Sequence, residues 1–210
     1  GVLVFILCLL PLTGGYHMNL MKAESPGPSV SKLVPKVQST AKILYTIYII
    51  LTIVEIIFLL IGKMPLFDTL CLSFGTAGTG GFGIKNDSIA SYSTYNQVVI
   101  TVFMILFGIN FNAYYLLLTK KVMQAAKNEE VRYYLGIIGL AIVAIAINTR
   151  EMFTSFGRAF QQAAFQVGSI ITTTGYATTD FNVWPVFSKT ILVILMFVGA
   201  CAGSTGGGIK

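Results

Sequence analysis

Charged residues are scarce in this sequence of 210 residues. Only 10% are Asp, Glu, Lys or Arg and 55% are hydrophobic, which gives a mean hydropathy of +0.78. A soluble domain carries about 25% charged residues, so the composition excludes an ordinary soluble protein and indicates a membrane protein. The net charge of +6 does not indicate nucleic-acid binding, because the 14 basic residues are scattered and form no long run.

Cysteine and histidine are also rare: the sequence has three cysteines and one histidine. Cys8, Cys71 and Cys201 stand singly in apolar surroundings, without the spacing of disulfide or metal-binding pairs. We therefore expect buried thiols. No group of residues resembles a nucleophile, an acid–base pair or a set of metal-binding side chains. The sequence thus predicts neither an enzyme nor a covalently bound cofactor.

Long apolar runs are what the sequence does contain. Ile43–Gly62 and Val98–Leu118 reach the length of about 20 residues that a helix needs to cross a bilayer. Tyr133–Ile147 and Val186–Cys201 are predicted to be further spans, the last interrupted by the glycine-rich segment Gly199–Gly208. An interior glycine costs a helix about 1 kcal/mol relative to alanine, so this segment is predicted not to be an ordinary helix.

Two shorter apolar runs, Met64–Phe74 and Ala159–Ile171, each lead into a loop rich in threonine and glycine. They are too short to cross a bilayer, and irregular backbone at membrane depth requires surrounding protein or a water-filled cavity. We therefore predict short helices that enter the membrane part-way. The order of span, short helix, loop and span occurs twice in the same direction, which predicts parallel repeats in an all-α integral membrane protein.

The connectors between repeats carry most of the basic residues. Eight Lys or Arg lie in the connectors and five on the side of the two loops, so we expect the connectors to be cytoplasmic. The sequence begins within an apolar run and ends just after a glycine-rich turn, which favours a fragment. The expected parts are the end of an earlier helix (1–17), a connector (18–42), a repeat (43–119), a second connector (120–132) and a further repeat with the glycine-rich loop (133–210).

The two loops have the same chemistry 94 positions apart: Thr79-Gly80-Gly81-Phe82 and Thr173-Thr174-Gly175-Tyr176. Glycine accepts positive φ, which lets successive carbonyls point the same way, and rings of carbonyls can replace the water shell of a cation. The loops therefore favour a cation-conducting pore. Three alternatives remain: small residues that only allow close helix packing, a secondary transporter whose broken helices carry a small substrate or Na⁺, and a non-conducting membrane scaffold.

Five polar residues within or beside the apolar runs are further candidates. Glu55 either pairs inside the helix bundle or takes part in ion passage, with pairing favoured because an unpaired charge in a membrane is costly. Asn110 and Asn112 either bond across helices or face a cavity below the loops. Asp68 is expected to stabilise the start of the first short helix. Asp180 lies just past the second loop, where a carboxylate could attract cations.

Four motifs in order resemble the Trk/Ktr/HKT superfamily of potassium uptake proteins, closest to its bacterial Trk-type membrane subunit. They are Ala23-Glu24-Ser25-Pro26-Gly27-Pro28, then Pro65-Leu66-Phe67-Asp68 leading to Thr79-Gly80-Gly81-Phe82, then Phe165-Gln166-Val167 leading to Thr172-Thr173-Thr174-Gly175-Tyr176, and Gly203-Ser204-Thr205-Gly206-Gly207-Gly208-Ile209-Lys210. Members of the superfamily have four repeats. This sequence resembles the end of the first, all of the second and most of the third.

The resemblance implies potassium uptake across a bacterial inner membrane by a multi-pass protein surrounded by lipid. The implied filter is Thr79, Gly80, Gly81, Phe82, Thr173, Thr174, Gly175 and Tyr176, with K⁺ held by the carbonyls of Gly80, Gly81, Thr174 and Gly175. The implied gate is an intramembrane loop containing Gly199, Gly203, Ser204, Thr205, Gly206, Gly207 and Gly208. The implied partners are a second copy of the protein and a cytoplasmic nucleotide-binding regulatory subunit, with no nucleic acid.

Overall fold

The computed structural model describes residues 37–119 and 121–208, and these residues form helices and loops without a strand. The expectations for residues 1–36, including the first motif and the earlier helix, lie outside the described residues, as do Lys120, Ile209 and Lys210. The helices are α1 (Val37–Ile61), α2 (Leu66–Ala77), α3 (Thr94–Phe107), α4 (Phe111–Leu118), α5 (Val122–Ala126), α6 (Glu129–Asn148), α7 (Phe156–Ile171) and α8 (Val186–Val198).

Local sequence explains where the helices begin and end. Pro65 and Pro185 directly precede α2 and α8, where a residue without a free backbone N–H costs nothing. Asn128 caps α6, its side-chain oxygen accepting hydrogen bonds from the first turn at 3.1 and 3.4 Å. Helix α8 ends where Gly199 takes a positive φ of 69°, a conformation that favours glycine.

Two of the described helices are long and apolar enough to cross a membrane, within Lys42–Ile61 and Glu129–Asn148. The first agrees with the predicted span at Ile43–Gly62, and the second extends the predicted Tyr133–Ile147. Helices α2 and α8 are apolar but shorter. Helix α2 ends in the first candidate filter loop, and α7 ends in the second.

The second predicted span is wrong as a single helix. In place of one helix over Val98–Leu118, the chain forms α3 and α4, which meet at 89°. The break has a local cause at Asn110, whose side-chain oxygen accepts the N–H of Asn112 at 2.9 Å and caps α4. An asparagine that bonds nearby backbone competes with helix continuation. Hydropathy averaged over the run cannot detect such a break, because both halves are apolar.

The two repeats have separate cores that interlock. One core lies among α1, α2 and α3, and the other among α6, α7 and α8. Tyr176, from the loop after α7, is buried in the first core. Ile105 and Ile109, from the end of α3 and the bend after it, pack against the second. The loops of the two repeats are therefore held next to each other by side chains that cross between the cores.

Glu55 lies fully buried on α1, and the expected pairing is not found among the described residues. Neither of its carboxylate oxygens has a hydrogen-bond partner there. The Thr76 hydroxyl of α2 lies next to this carboxyl group and donates to the backbone carbonyl of Leu72 at 2.8 Å. The carboxyl group thus lies against α2, the helix that leads into the first candidate filter loop.

Candidate functional site: two loops above a glycine-rich segment

The two candidate filter loops leave their helices through the same hydrogen bonds. At the end of α2, the backbone N–H of Gly80 donates to the carbonyl of Gly75 at 2.8 Å. At the end of α7, the N–H of Thr174 donates to the carbonyl of Ser169 at 2.9 Å. Both members of the second pair stand 94 positions after those of the first. The repeat seen in the sequence is therefore also a repeat in backbone geometry.

The backbone conformations of the loops match as well. Thr79 and Thr173 have φ of 49° and 58°, and Gly81 and Gly175 have φ of 67° and 88°. The intervening residues do not have positive φ. A positive φ is uncommon for a residue other than glycine, particularly a β-branched one, and such strain clusters at functional sites. Two strained threonines at equivalent positions indicate a functional backbone geometry.

Four carbonyl oxygens of these loops, those of Gly80, Gly81, Thr174 and Gly175, accept no hydrogen bond from the described residues. The carbonyl of Tyr176 differs, because it accepts the Ser169 hydroxyl at 2.6 Å. Gly80 and Gly175 are exposed and Gly81 is partly exposed, so their carbonyl oxygens remain open to another partner. The C-terminal ends of α2 and α7, which carry partial negative charge, lead directly into the same loops. Together these groups form a cluster of negative potential made of backbone.

The two loops touch at Gly81. A Cβ atom built on Gly81 would lie 1.8 Å from the carbonyl oxygen of Thr174, so no other residue fits there without moving the second loop. The equivalent Gly175 differs, because a Cβ atom there would meet no described atom within 4 Å. Gly81 thus packs directly against the second loop, whereas Gly175 borders open space.

The aromatic residues that close the two motifs have opposite environments. Tyr176 is 1% exposed, and its hydroxyl donates to the carbonyl of Leu72 on α2 at 3.2 Å. A Cβ atom on Gly75 would lie 2.2 Å from that hydroxyl, so the glycine forms a slot for the ring. Phe82, the equivalent residue, is 82% exposed. Tyr176 is thus directed into the other repeat, whereas the Phe82 ring stays exposed beside Gly80 of its own loop.

The glycine-rich segment after α8, residues 199–208, folds back on itself directly below the two loops. The N–H of Ala200 donates to the carbonyl of Gly207 at 3.1 Å. A Cβ atom on Gly199 would lie 2.5 Å from that carbonyl oxygen, so the close return of the chain requires glycine here. We call residues 199–208 the glycine loop.

The glycine loop makes hydrogen bonds to both candidate filter loops. The Thr79 hydroxyl lies 3.0 Å from the carbonyl oxygen of Thr205, to which it can donate, and 2.8 Å from that of its own neighbour Gly78. The N–H of Gly207 donates to the hydroxyl oxygen of Thr173 at 2.8 Å. The two strained threonines, one from each repeat, are therefore the groups that meet the glycine loop.

The glycine loop also replaces the backbone hydrogen bonds that are missing at the break between α3 and α4. In an unbroken helix the N–H of Phe111 would donate to the carbonyl of Phe107, but here both groups bond to the glycine loop. The exchanged bonds are Phe111 N–H to Gly203 O at 3.1 Å, Thr205 N–H to Phe107 O at 3.3 Å, and Cys201 N–H to Gly108 O at 3.1 Å. The break is therefore stabilised by a segment about 90 residues later in the chain.

The acidic residues near the loops have structural partners. Asp68, in the first turn of α2, accepts a hydrogen bond from the Tyr92 hydroxyl at 2.8 Å, and the Lys85 ammonium lies 4.2 Å from the centre of that ring. Burial and the bond to Asp68 raise the pKa of Tyr92 above its ordinary value. Asp180 caps the short helix Phe181–Val183.

Asn112, the other predicted polar residue at the bend, has a side-chain oxygen without a partner in the described residues.

One residue of this region was not singled out from the sequence. Glu130, in the first turn of α6, accepts a hydrogen bond from the side chain of Asn110 at 2.9 Å and another from the backbone N–H of Ala202 in the glycine loop. In the sequence Glu130 belongs to a charged connector, where an acidic residue predicts only exposure to solvent. The only clue lies in Asn110, a polar residue within an apolar run.

Comparisons with known proteins show which family the chain is similar to. Residues 1–139 and 137–210 match the TrkH family, described as cation transport protein. The Trk system potassium uptake protein TrkH is 36% identical in Vibrio parahaemolyticus and 33% identical in Salmonella typhimurium, each over 100% of this chain. The chain spans 45% and 44% of those relatives, which is less than half of their length.

A solved structure is similar as well. The crystal structure of the potassium transporter TrkH from Vibrio parahaemolyticus matches with a TM-score of 0.80 at 30% identity, over 98% of this chain and 43% of that chain. This likeness and the apolar helices confirm the predicted class, an all-α integral membrane protein. They also confirm the resemblance to the bacterial Trk-type subunit that the motifs indicated.

Proposed function

The chain belongs to the TrkH family of cation transport proteins, and we propose that it contributes two repeats to a longer protein that takes up potassium through a pore lined by backbone carbonyls. The proposed divisions are those expected from the sequence: 1–17, 18–42, 43–119, 120–132 and 133–210. Transport of this kind needs no bond-making chemistry, so the proposed function is not enzymatic. K⁺ is the transported ion.

The observation that carries the proposal is the pair of hydrogen bonds between the glycine loop and the two candidate filter loops. The Thr79 hydroxyl donates to the Thr205 carbonyl, and the Gly207 N–H donates to the Thr173 hydroxyl oxygen. They bring one segment against equivalent positions of both repeats. A scaffold of closely packed helices does not need such a segment below two strained loops. A pore with a filter and a barrier beneath it does.

The unpaired carbonyls of Gly80, Gly81, Thr174 and Gly175 are the proposed ligands. Carbonyl oxygens can take the place of the ion's water shell. The C-terminal ends of α2 and α7 add partial negative charge on the same side. Two repeats supply part of a ring, and the repeats of the longer protein would supply the remainder.

The glycine loop is the proposed gate. It contacts the strained threonines that begin both candidate filter loops, and few of its residues carry large side chains. Movement away from Thr79 and Thr173 would remove backbone from the ion path. We also propose the setting that the resemblance implies: a bacterial inner membrane, a homodimer, and a cytoplasmic nucleotide-binding regulatory subunit.

Uptake of ⁸⁶Rb⁺ into proteoliposomes that contain the full-length protein tests the proposed activity, with Na⁺ as competitor and the regulatory partner present or absent. We expect Rb⁺ uptake that excess Na⁺ does not suppress. Absence of uptake under both conditions would contradict conduction and favour the scaffold. Saturable uptake of an organic solute would favour a secondary transporter.

Thr173→Val tests the gate. Valine keeps the β-branched shape but removes the acceptor for the Gly207 N–H. Loss of one hydrogen bond worth about 1 kcal/mol predicts a rise in basal Rb⁺ flux of about fivefold. Thr173→Ser keeps the hydroxyl and should stay near wild type, as should Thr190→Val on an exposed position of α8. A well-folded Thr173→Val protein with unchanged flux would refute the role of this contact.

A further inference from the structure

Glu130 has an unusual position for a charged side chain, because it joins three parts of the molecule. It belongs to the first turn of α6, within the second connector as the sequence defined it (120–132). One carboxylate oxygen accepts the Asn110 side-chain amide at 2.9 Å, and the other accepts the backbone N–H of Ala202. Its two oxygens thus hold the bend between α3 and α4 and the glycine loop at the same time.

The contact at Ala202 restrains the glycine loop from the side opposite the filter. Thr205 and Gly207 are held by the filter threonines, whereas Ala202 is held by Glu130. The next residue, Gly203, accepts the N–H of Phe111 at the start of α4. A carboxylate offers only acceptors, and hydrogen bonds to a charged group are stronger than neutral ones. Among the described residues, Glu130 is therefore the charged side chain that bonds to the glycine loop.

The backbone of Glu130 is fixed in turn by the connector. Its N–H donates to the side-chain oxygen of Asn128 at 3.1 Å, the cap that starts α6. The short helix α5 occupies Val122–Ala126 in the same connector. A displacement of the connector that unwinds or shifts this cap moves Glu130, and with it the hydrogen bond to Ala202.

We propose that Glu130 is a latch: a positioning residue that holds the glycine loop closed and releases it when the connector at 121–128 moves. The proposal rests on the proposed gate function of the glycine loop. It adds the residue through which a cytoplasmic movement reaches the loop, and it requires no change in the filter itself.

Glu130→Gln is the first test. Glutamine keeps one acceptor but presents an NH₂ group to either the Asn110 amide or the Ala202 N–H, so one hydrogen bond becomes a donor–donor contact. Loss of one hydrogen bond to a charged group predicts a rise in basal Rb⁺ flux of about tenfold. Glu129→Gln removes the same charge from the adjacent, exposed position, and its flux should equal that of wild type.

A double substitution distinguishes a latch from general destabilisation. Asn110→Asp alone places two carboxylates together and should also raise basal flux. Combined with Glu130→Gln, the new carboxylate at position 110 accepts from the glutamine NH₂ group, while the glutamine carbonyl accepts from Ala202. The double variant should therefore return to low basal flux. If it is as leaky as either single variant, the latch is refuted.

The accessibility of Cys201 reports the position of the glycine loop without relying on transport. Cys201 is 3% exposed, so a thiol reagent should label it slowly in wild type and faster in Glu130→Gln, in a protein whose other cysteines are replaced. If wild type conducts, and Glu130→Gln has the same flux and the same labelling rate as wild type, the latch is refuted. Absence of flux in every variant would instead refute the proposed function. The labelling rates of Cys201 in wild type and in Glu130→Gln would then still test the latch.

Discussion

At Gly81 the chain has no space for a side chain, because the Thr174 carbonyl oxygen lies where a Cβ atom would be. Its φ of 67° adds a cost of about 1 to 2 kcal/mol for any other residue. Gly175 also has a positive φ, but a Cβ atom there would contact no described atom. The two glycines of one motif are therefore constrained in different ways, by a neighbouring loop at Gly81 and by backbone conformation alone at Gly175.

Gly81→Ser should weaken discrimination between K⁺ and Na⁺ by about tenfold, equivalent to about 1.4 kcal/mol. The added side chain pushes the Thr174 carbonyl away and brings a hydroxyl into the ion's surroundings. Rb⁺ uptake with graded Na⁺ competition measures the change. Gly136→Ser is the matched control, since a Cβ atom there meets nothing within 4 Å. Wild-type discrimination in Gly81→Ser would exclude this position from the filter.

The glycine loop and the helix break form one unit at the level of elements. The carbonyl of Phe107 and the N–H of Phe111 each bond to the glycine loop rather than to each other. If the loop moves, these backbone groups lose their partners, which is costly in an apolar environment. We therefore expect movement of the loop to be accompanied by straightening at Asn110 or by entry of water.

Much of this arrangement could be predicted from the sequence. The Thr-Gly-aromatic motifs, the short helices and the interruption at Gly199 follow from residue types that act locally. The bend at Gly108–Asn110 was not predicted, because Asn110 alone is a weak signal within an apolar run. The hydrogen bonds that compensate the bend come from Cys201, Gly203 and Thr205, far along the chain. Glu130 could not be distinguished from Glu129 for the same reason, since only the fold brings Ala202 to one of them.

The Tyr92–Asp68 hydrogen bond links the segment after the first candidate filter loop to the start of α2. Tyr92→Phe should lower the unfolding free energy by about 1 kcal/mol at pH 8. Because the pKa of Tyr92 is raised in the fold, the unfolded chain loses this proton first. The stabilising effect is complete below the unfolded pKa of about 10 and declines as pH rises further.

Thermal unfolding of wild type and Tyr92→Phe at pH 8 and at pH 11 measures this dependence, and the difference between them should shrink at the higher pH. Tyr95→Phe, at a side chain that is 43% exposed, should differ little from wild type at either pH. A difference for Tyr92→Phe that grows with pH would contradict the assigned hydrogen bond.

At the scale of the whole molecule, the two repeats are joined by Tyr176. The ring is buried against α2 and its hydroxyl bonds to Leu72. Tyr176→Ala should lower the unfolding free energy by about 3 kcal/mol, the cost of removing a large buried ring. Tyr133→Ala, at a side chain that is 72% exposed, should change it by less than about 0.5 kcal/mol. Similar unfolding midpoints for the two variants would show that the repeats do not depend on this contact.

The slot beside Gly75 gives the arrangement of repeats a direction. Tyr176 of the later repeat fills a slot on the earlier one, and the exposed ring of Phe82 is the equivalent group with no such slot among the described residues. During synthesis the ribosome releases the Gly75 slot before the Tyr176 ring that fills it. The later repeat can therefore lock onto the earlier one in the order in which the two are made.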